Sequence, residues 1–109
     1  EYSSPMQWHF VFAYNVRIEN CSEHSIQLLR RQWYIQDSLR NMREIEGEGV
    51  IGQQPVLEPG ESHKYVSGCN LKSEMGKMHG FYIMERLMDG KKFRVEIPEF
   101  TLVAPYRFN

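Results

Sequence analysis

Two cysteines in 109 residues are too few for a disulfide framework, so Cys21 and Cys69 read as reduced thiols of an intracellular protein, whether cytoplasmic, nuclear or organellar. No apolar run approaches the roughly 20 residues that cross a bilayer, and no signal-peptide pattern follows Glu1. A membrane partner is not expected. Charge of one sign is lacking too: 13 basic against 14 acidic residues leave a formal net charge of -1, without the field that nucleic-acid binding requires. Helical periodicity is nearly absent. The single competing stretch is 36–44, where Asp37, Ser38 and Asn41 suit a hairpin loop as well. The missing initiator Met suggests a segment excised from a longer protein. A chain of this length buries roughly two-thirds of its unfolded surface, so one domain over 1–109, with a core of about 8–103, should fold without metal or disulfide.

What the sequence does have is period-two alternation. Trp8, Phe10, Phe12, Tyr14, Val16 and Ile18 share one parity, and His9, Asn15, Arg17 and Glu19 the other, which defines a long half-buried strand. After the turn chemistry of 20–24, Ile26 and Leu28 keep even parity whereas Trp33 and Ile35 are odd. That switch near Arg30-Arg31 predicts a bulge or a strand that changes sheets. Further strands are expected at 43–48, 62–67 and 81–87. Asp89-Gly90 then signals a hairpin turn of type I′, and the return strand points Phe93, Val95 and Ile97 inward. Pro98 ends that strand or marks an edge, and a short strand at 100–103 follows. About seven strands without an amphipathic helix predict an all-β antiparallel sandwich.

Between the third and fourth of these strands lies Gly47-Glu48-Gly49-Val50-Ile51-Gly52, running into Gln53-Gln54-Pro55-Val56-Leu57-Glu58-Pro59-Gly60. The spacing is that of a phosphate loop, and Gly47, Gly49 and Gly52 are the alternative anion-binding residues, for pyrophosphate or a nucleotide. Such a loop needs a helix to open at its last glycine. Pro55 and Pro59 oppose one, and Glu44, Glu46 and Glu48 would place negative charge beside the anion. A structured loop whose glycines permit positive φ or close backbone approach is preferred.

Taken together, these segments resemble the ApaG domain (DUF525) family from about Phe10 to Val103. The resemblance rests on Val16-Arg17-Ile18-Glu19-Asn20; Gln27-Leu28-Leu29 with Arg31, Trp33, Ile35 and Asp37; Gly47 to Gly60; Tyr65-Val66-Ser67-Gly68-Cys69; Gly76, Met78, Gly80 and Tyr82; and Phe93 to Pro98 with Phe100. It implies a fibronectin-III-like β-sandwich. Leu39-Arg40-Asn41 departs from the pattern, occupying a turn where bacterial members often carry glycine. Ser73-Glu74, Arg30, Gln32 and the extension Tyr106 to Asn109 depart as well. Family habit further implies a eukaryotic module within a multidomain adaptor, such as a ubiquitin-ligase substrate receptor or a protein-quality-control adaptor. Bacterial members stand alone and are loosely linked to divalent-cation efflux.

No catalytic set is recognisable. His9, His24, His63 and His79 are scattered, Cys21 and His24 give a lone C-x-x-H, and Cys69 lacks signs of a lowered thiol pKa. Glu44, Glu46, Glu48, Glu58 and Glu61 could hold a hard cation but lack loop spacing for it. Neither an enzyme nor a cofactor is expected. Trp33-Tyr34 and Phe81-Tyr82 place aromatic bulk on both faces of their strands, so one of each pair points outward. Arg31, Trp33, Tyr34, Val50, Ile51, Gln53 and Pro55 are therefore the candidate residues for binding another protein or peptide.

Overall fold

A computed structural model describes residues 10–103, with side chains from Phe12 onward. Trp8, His9 and the C-terminal extension lie outside the described residues. Seven strands are formed: β1 (Phe10–Glu19), β2 (Ile26–Asp37), β3 (Met42–Glu48), β4 (Val56–Leu57), β5 (Ser62–Leu71), β6 (Met75–Arg86) and β7 (Lys91–Val103). No helix occurs among the described residues. β1 and β5 make a two-stranded sheet, and the other sheet runs β3-β2-β6-β7, with β4 added to β2. Every strand pairing is antiparallel. The fold is the expected fibronectin-III-like sandwich.

Alternation decides which side chains meet between the sheets. Phe12, Tyr14, Val16 and Ile18 of β1 face Trp33 and Ile35 of β2, Met78 and Tyr82 of β6, and Phe100 and Leu102 of β7 across two contiguous apolar clusters. Trp33 is the largest buried side chain. Its ring meets Tyr14, Phe100 and Tyr82 edge-on, with centroids 5.8, 6.0 and 6.3 Å away, the geometry that aromatic quadrupoles favour. Neighbouring Tyr34 necessarily points outward.

The parity switch in β2 is a bulge. Leu28 pairs with Met84 and Arg30 with Ile83, so Leu29 is the extra residue. A second bulge sets Pro98 and Glu99 of β7 against His79 alone. Proline therefore does not end β7, because the bulge absorbs the missing N–H and the strand continues to Val103 on the sheet's edge. The expected strands at 92–97 and 100–103 are one. β4 takes the seventh place, being two residues between prolines whose pairing comes wholly from β2. The β6–β7 turn also differs from expectation: Gly90 has φ 70° while Asp89 is not in the left-handed region, and the Gly90 N–H donates to the Arg86 carbonyl at 2.8 Å. This wider turn needs positive φ at one residue only.

Candidate functional site

The glycine–proline segment is folded tightly onto the β2 bulge. The Leu29 carbonyl accepts from the Gly49 N–H at 2.8 Å and from Gln54 Nε2 at 2.9 Å, while the Leu28 N–H donates to the Pro55 carbonyl at 3.1 Å. The residue that shifts the register of β2 thus pins both arms of the loop. Arg31, the cross-strand partner of Gly47, supplies the second brace. Its Nη1 donates to the carbonyl oxygens of Glu48 at 3.2 Å and Gly49 at 2.8 Å. A Cβ at position 47 would come within 3.0 Å of that guanidinium, so glycine there makes room for the brace.

At the tip, the Val50 N–H donates to the Gln53 carbonyl at 2.7 Å and the Gln53 N–H returns to the Val50 carbonyl at 3.0 Å. The two residues between them are Ile51, at φ 49°, and Gly52, at φ 73°. Positive φ at both central positions is the signature of the type I′ turn, which favours Asn-Gly. A β-branched residue in the left-handed region is a genuine outlier. Holding one there costs on the order of 1–3 kcal/mol. Val50 anchors the tip in the core at 1% exposure, and Ile51 stands out at 59%.

Of the residues singled out in the sequence, Arg31, Val50, Ile51, Gln53 and Pro55 come together around this loop. Trp33 and Val50 are corrections: at 2% and 1% exposure they are packing residues, sealed inside because their strand parity and their place in the turn aim them at the core. Tyr34 is elsewhere, on the outward face of the larger sheet. There it stacks on His79, with centroids 5.1 Å apart and planes at 23°, and the Arg94 guanidinium lies 3.7 Å over the Phe81 ring. Both outward aromatics are capped within the chain. The contacts of His79 and Arg94 follow from strand register, which local sequence does not reveal.

Of the three glycines of the anion-binding alternative, the central one has its polar groups committed otherwise. The Gly49 N–H turns inward to Leu29, the Glu48 and Gly49 carbonyls face Arg31, and no helix follows Gly52. The acidic residues are dispersed as well. Glu46 pairs with Arg30 at 2.9 Å, Glu44 accepts from Gln32 at 3.2 Å, Glu58 accepts from Ser25, and Glu61 accepts from the Glu58 N–H at 2.8 Å. Among the described residues no three His, Cys, Asp or Glu side chains converge as metal ligands.

Both cysteines are free, Cys21 exposed and Cys69 buried. Burial pushes the Cys69 thiol up, and Arg43 opposes this only in part. In the interior, the Tyr65 and Tyr82 hydroxyls share a hydrogen bond of 2.5 Å, and burial raises both phenols, so they bridge the two sheets in their protonated form.

Sandwich topology, capped aromatics and a braced loop define a fibronectin-III-like module with an exposed, hydrogen-bonded turn at Val50–Gln53. The chain belongs to the ApaG domain family, whose model matches residues 1–86. It is 47% identical to Protein ApaG of Paramagnetospirillum magneticum over 104 residues, covering 95% of this chain and 79% of that protein. It is 43% identical to Protein ApaG of Proteus mirabilis, covering 98% and 85%. The crystal structure of the putative ApaA protein from Bordetella pertussis superposes with a TM-score of 0.86 at 45% identity, covering 94% of this chain and 83% of that one. These relatives are bacterial proteins not much longer than this chain, so the expected eukaryotic, multidomain host finds no support in them.

Proposed function

We propose that the domain is a non-catalytic protein-interaction module that docks through the Val50–Gln53 turn. The observation that carries this reading is Ile51, an exposed β-branched side chain held in a left-handed backbone next to the core-anchored Val50. An Asn there would make the same turn at lower cost. Strain retained at an exposed apolar residue motivates a functional hypothesis, and the braces of Arg31, Gln54 and Pro55 order the turn before any partner arrives, which reduces the entropy lost on binding. A peptide or domain would receive the Ile51 side chain in an apolar recess, with Gln53 offering polar contacts at the rim.

The test is retention of proteins from a lysate of the source organism on the immobilised chain, identified by mass spectrometry. Proteins retained by the native chain should be lost from the Ile51→Asn variant and kept by Tyr34→Ala. Equal retention by Ile51→Asn would refute docking through the turn. The small-ligand reading is not favoured by the committed groups at Gly49, and amide shifts confined to 47–52 on adding millimolar pyrophosphate would revive it.

A further inference from the structure

We infer that β7 is the dimerisation edge of the domain, pairing antiparallel with β7 of a second copy about a two-fold axis at Val95. β7 ends the sheet order β3-β2-β6-β7, so one of its sides has no strand neighbour among the described residues. An unpaired edge is a template for another strand.

The occupant is indicated by the sequence of that edge. An antiparallel two-fold at Val95 sets Val95 against itself once, and Phe93 against Ile97 and Arg94 against Glu96 twice each. Arg94 already pairs with Glu96 along its own strand, and the two-fold lays that pair against its inverted copy so that opposite charges also face each other across the axis, whereas parallel pairing in register would set Arg on Arg and Glu on Glu. Lys91 and Lys92 arrive over the bulge that carries Glu99. A self-complementary patch is what an isologous interface requires.

A second, independent observation is apolar. Phe93 and Val95 share the inward face with Met84 and Tyr82, yet remain 36% and 37% exposed, because the two-stranded β1–β5 sheet leaves that end of β7 uncovered. Pairing sets the half-exposed Phe93 and Val95 of each copy beside Ile97 and Val95 of the other.

Sedimentation equilibrium of the native chain should give a dimer that dissociates on dilution and weakens with salt. Arg94→Glu and Glu96→Arg each place like charges across the axis and should give monomers, their folding checked by circular dichroism. Mixed in equal amounts, the two variants regain opposite charges at every cross-strand position and should form a heterodimer. A native monomer at millimolar concentration overturns the inference, as do variants that dimerise like the native chain or a mixture that stays monomeric. Should a variant fail to fold, dilution of the native chain decides alone: amides of residues 92–97 that do not shift between millimolar and micromolar concentration overturn it.

Discussion

At the scale of single residues, two non-glycine positions among the described residues carry left-handed backbone, and they differ in meaning. Arg40, at φ 68°, lies in the β2–β3 turn where the family resemblance points to glycine, and its N–H donates to the Asp37 carbonyl at 3.1 Å. Arg40→Gly relieves the left-handed penalty and should stabilise the fold by about 1 kcal/mol, read as a higher urea midpoint at unchanged slope. Asp37 organises the same turn: its carboxylate accepts from the Leu39 N–H at 2.9 Å, the Asn41 N–H at 2.9 Å and Asn41 Nδ2 at 3.0 Å. Burial alone would raise this carboxyl, but the hydrogen bonds from Asn41 and Leu39 outweigh it and hold the pKa below the ordinary aspartate value. A carboxyl lowered by folding contributes stability that is complete above its unfolded pKa and lost as pH falls toward the folded one. Stability should therefore decline below about pH 4, where free aspartate titrates, and an Asp37→Asn variant should show a flatter decline in that window by pH-dependent urea denaturation.

At the scale of elements, alternation made β1, the two halves of β2 and the second half of β6 legible, because a half-buried strand writes its faces into sequence parity. The bulge at Leu29 was legible for the same reason. β4 was not, since two residues carry no period, and the continuity of β7 was hidden by Pro98. The loop's shape was legible only in outline: glycines and prolines announced an ordered excursion, but the type I′ turn sits at Ile51-Gly52, where an isoleucine gives no warning, rather than at Asp89-Gly90. The brace of Arg31 depends on its cross-strand register with Gly47, which local sequence does not encode. Arg31→Ala removes two charge-assisted hydrogen bonds and should cost about 2 kcal/mol. Its distinguishing effect is local. Amide exchange at Gly49, Val50 and Gln53 should accelerate more than exchange in β1 and β5.

At the scale of the whole molecule, the two sheets divide the labour. The interior is largely apolar, closed around Trp33 and bridged by the Tyr65–Tyr82 hydroxyl pair. The turn at Val50–Gln53 combines two features, left-handed backbone at a β-branched residue and exposure of its apolar side chain, and so spends conformational energy to display a group that the core does not use. That claim is tested most directly by the urea stability of Ile51→Asn, needing no knowledge of the partner. The account predicts a gain of about 1 kcal/mol as the turn adopts its favoured Asn-Gly chemistry. A loss of stability would show that isoleucine is there for the fold itself and would contradict the account.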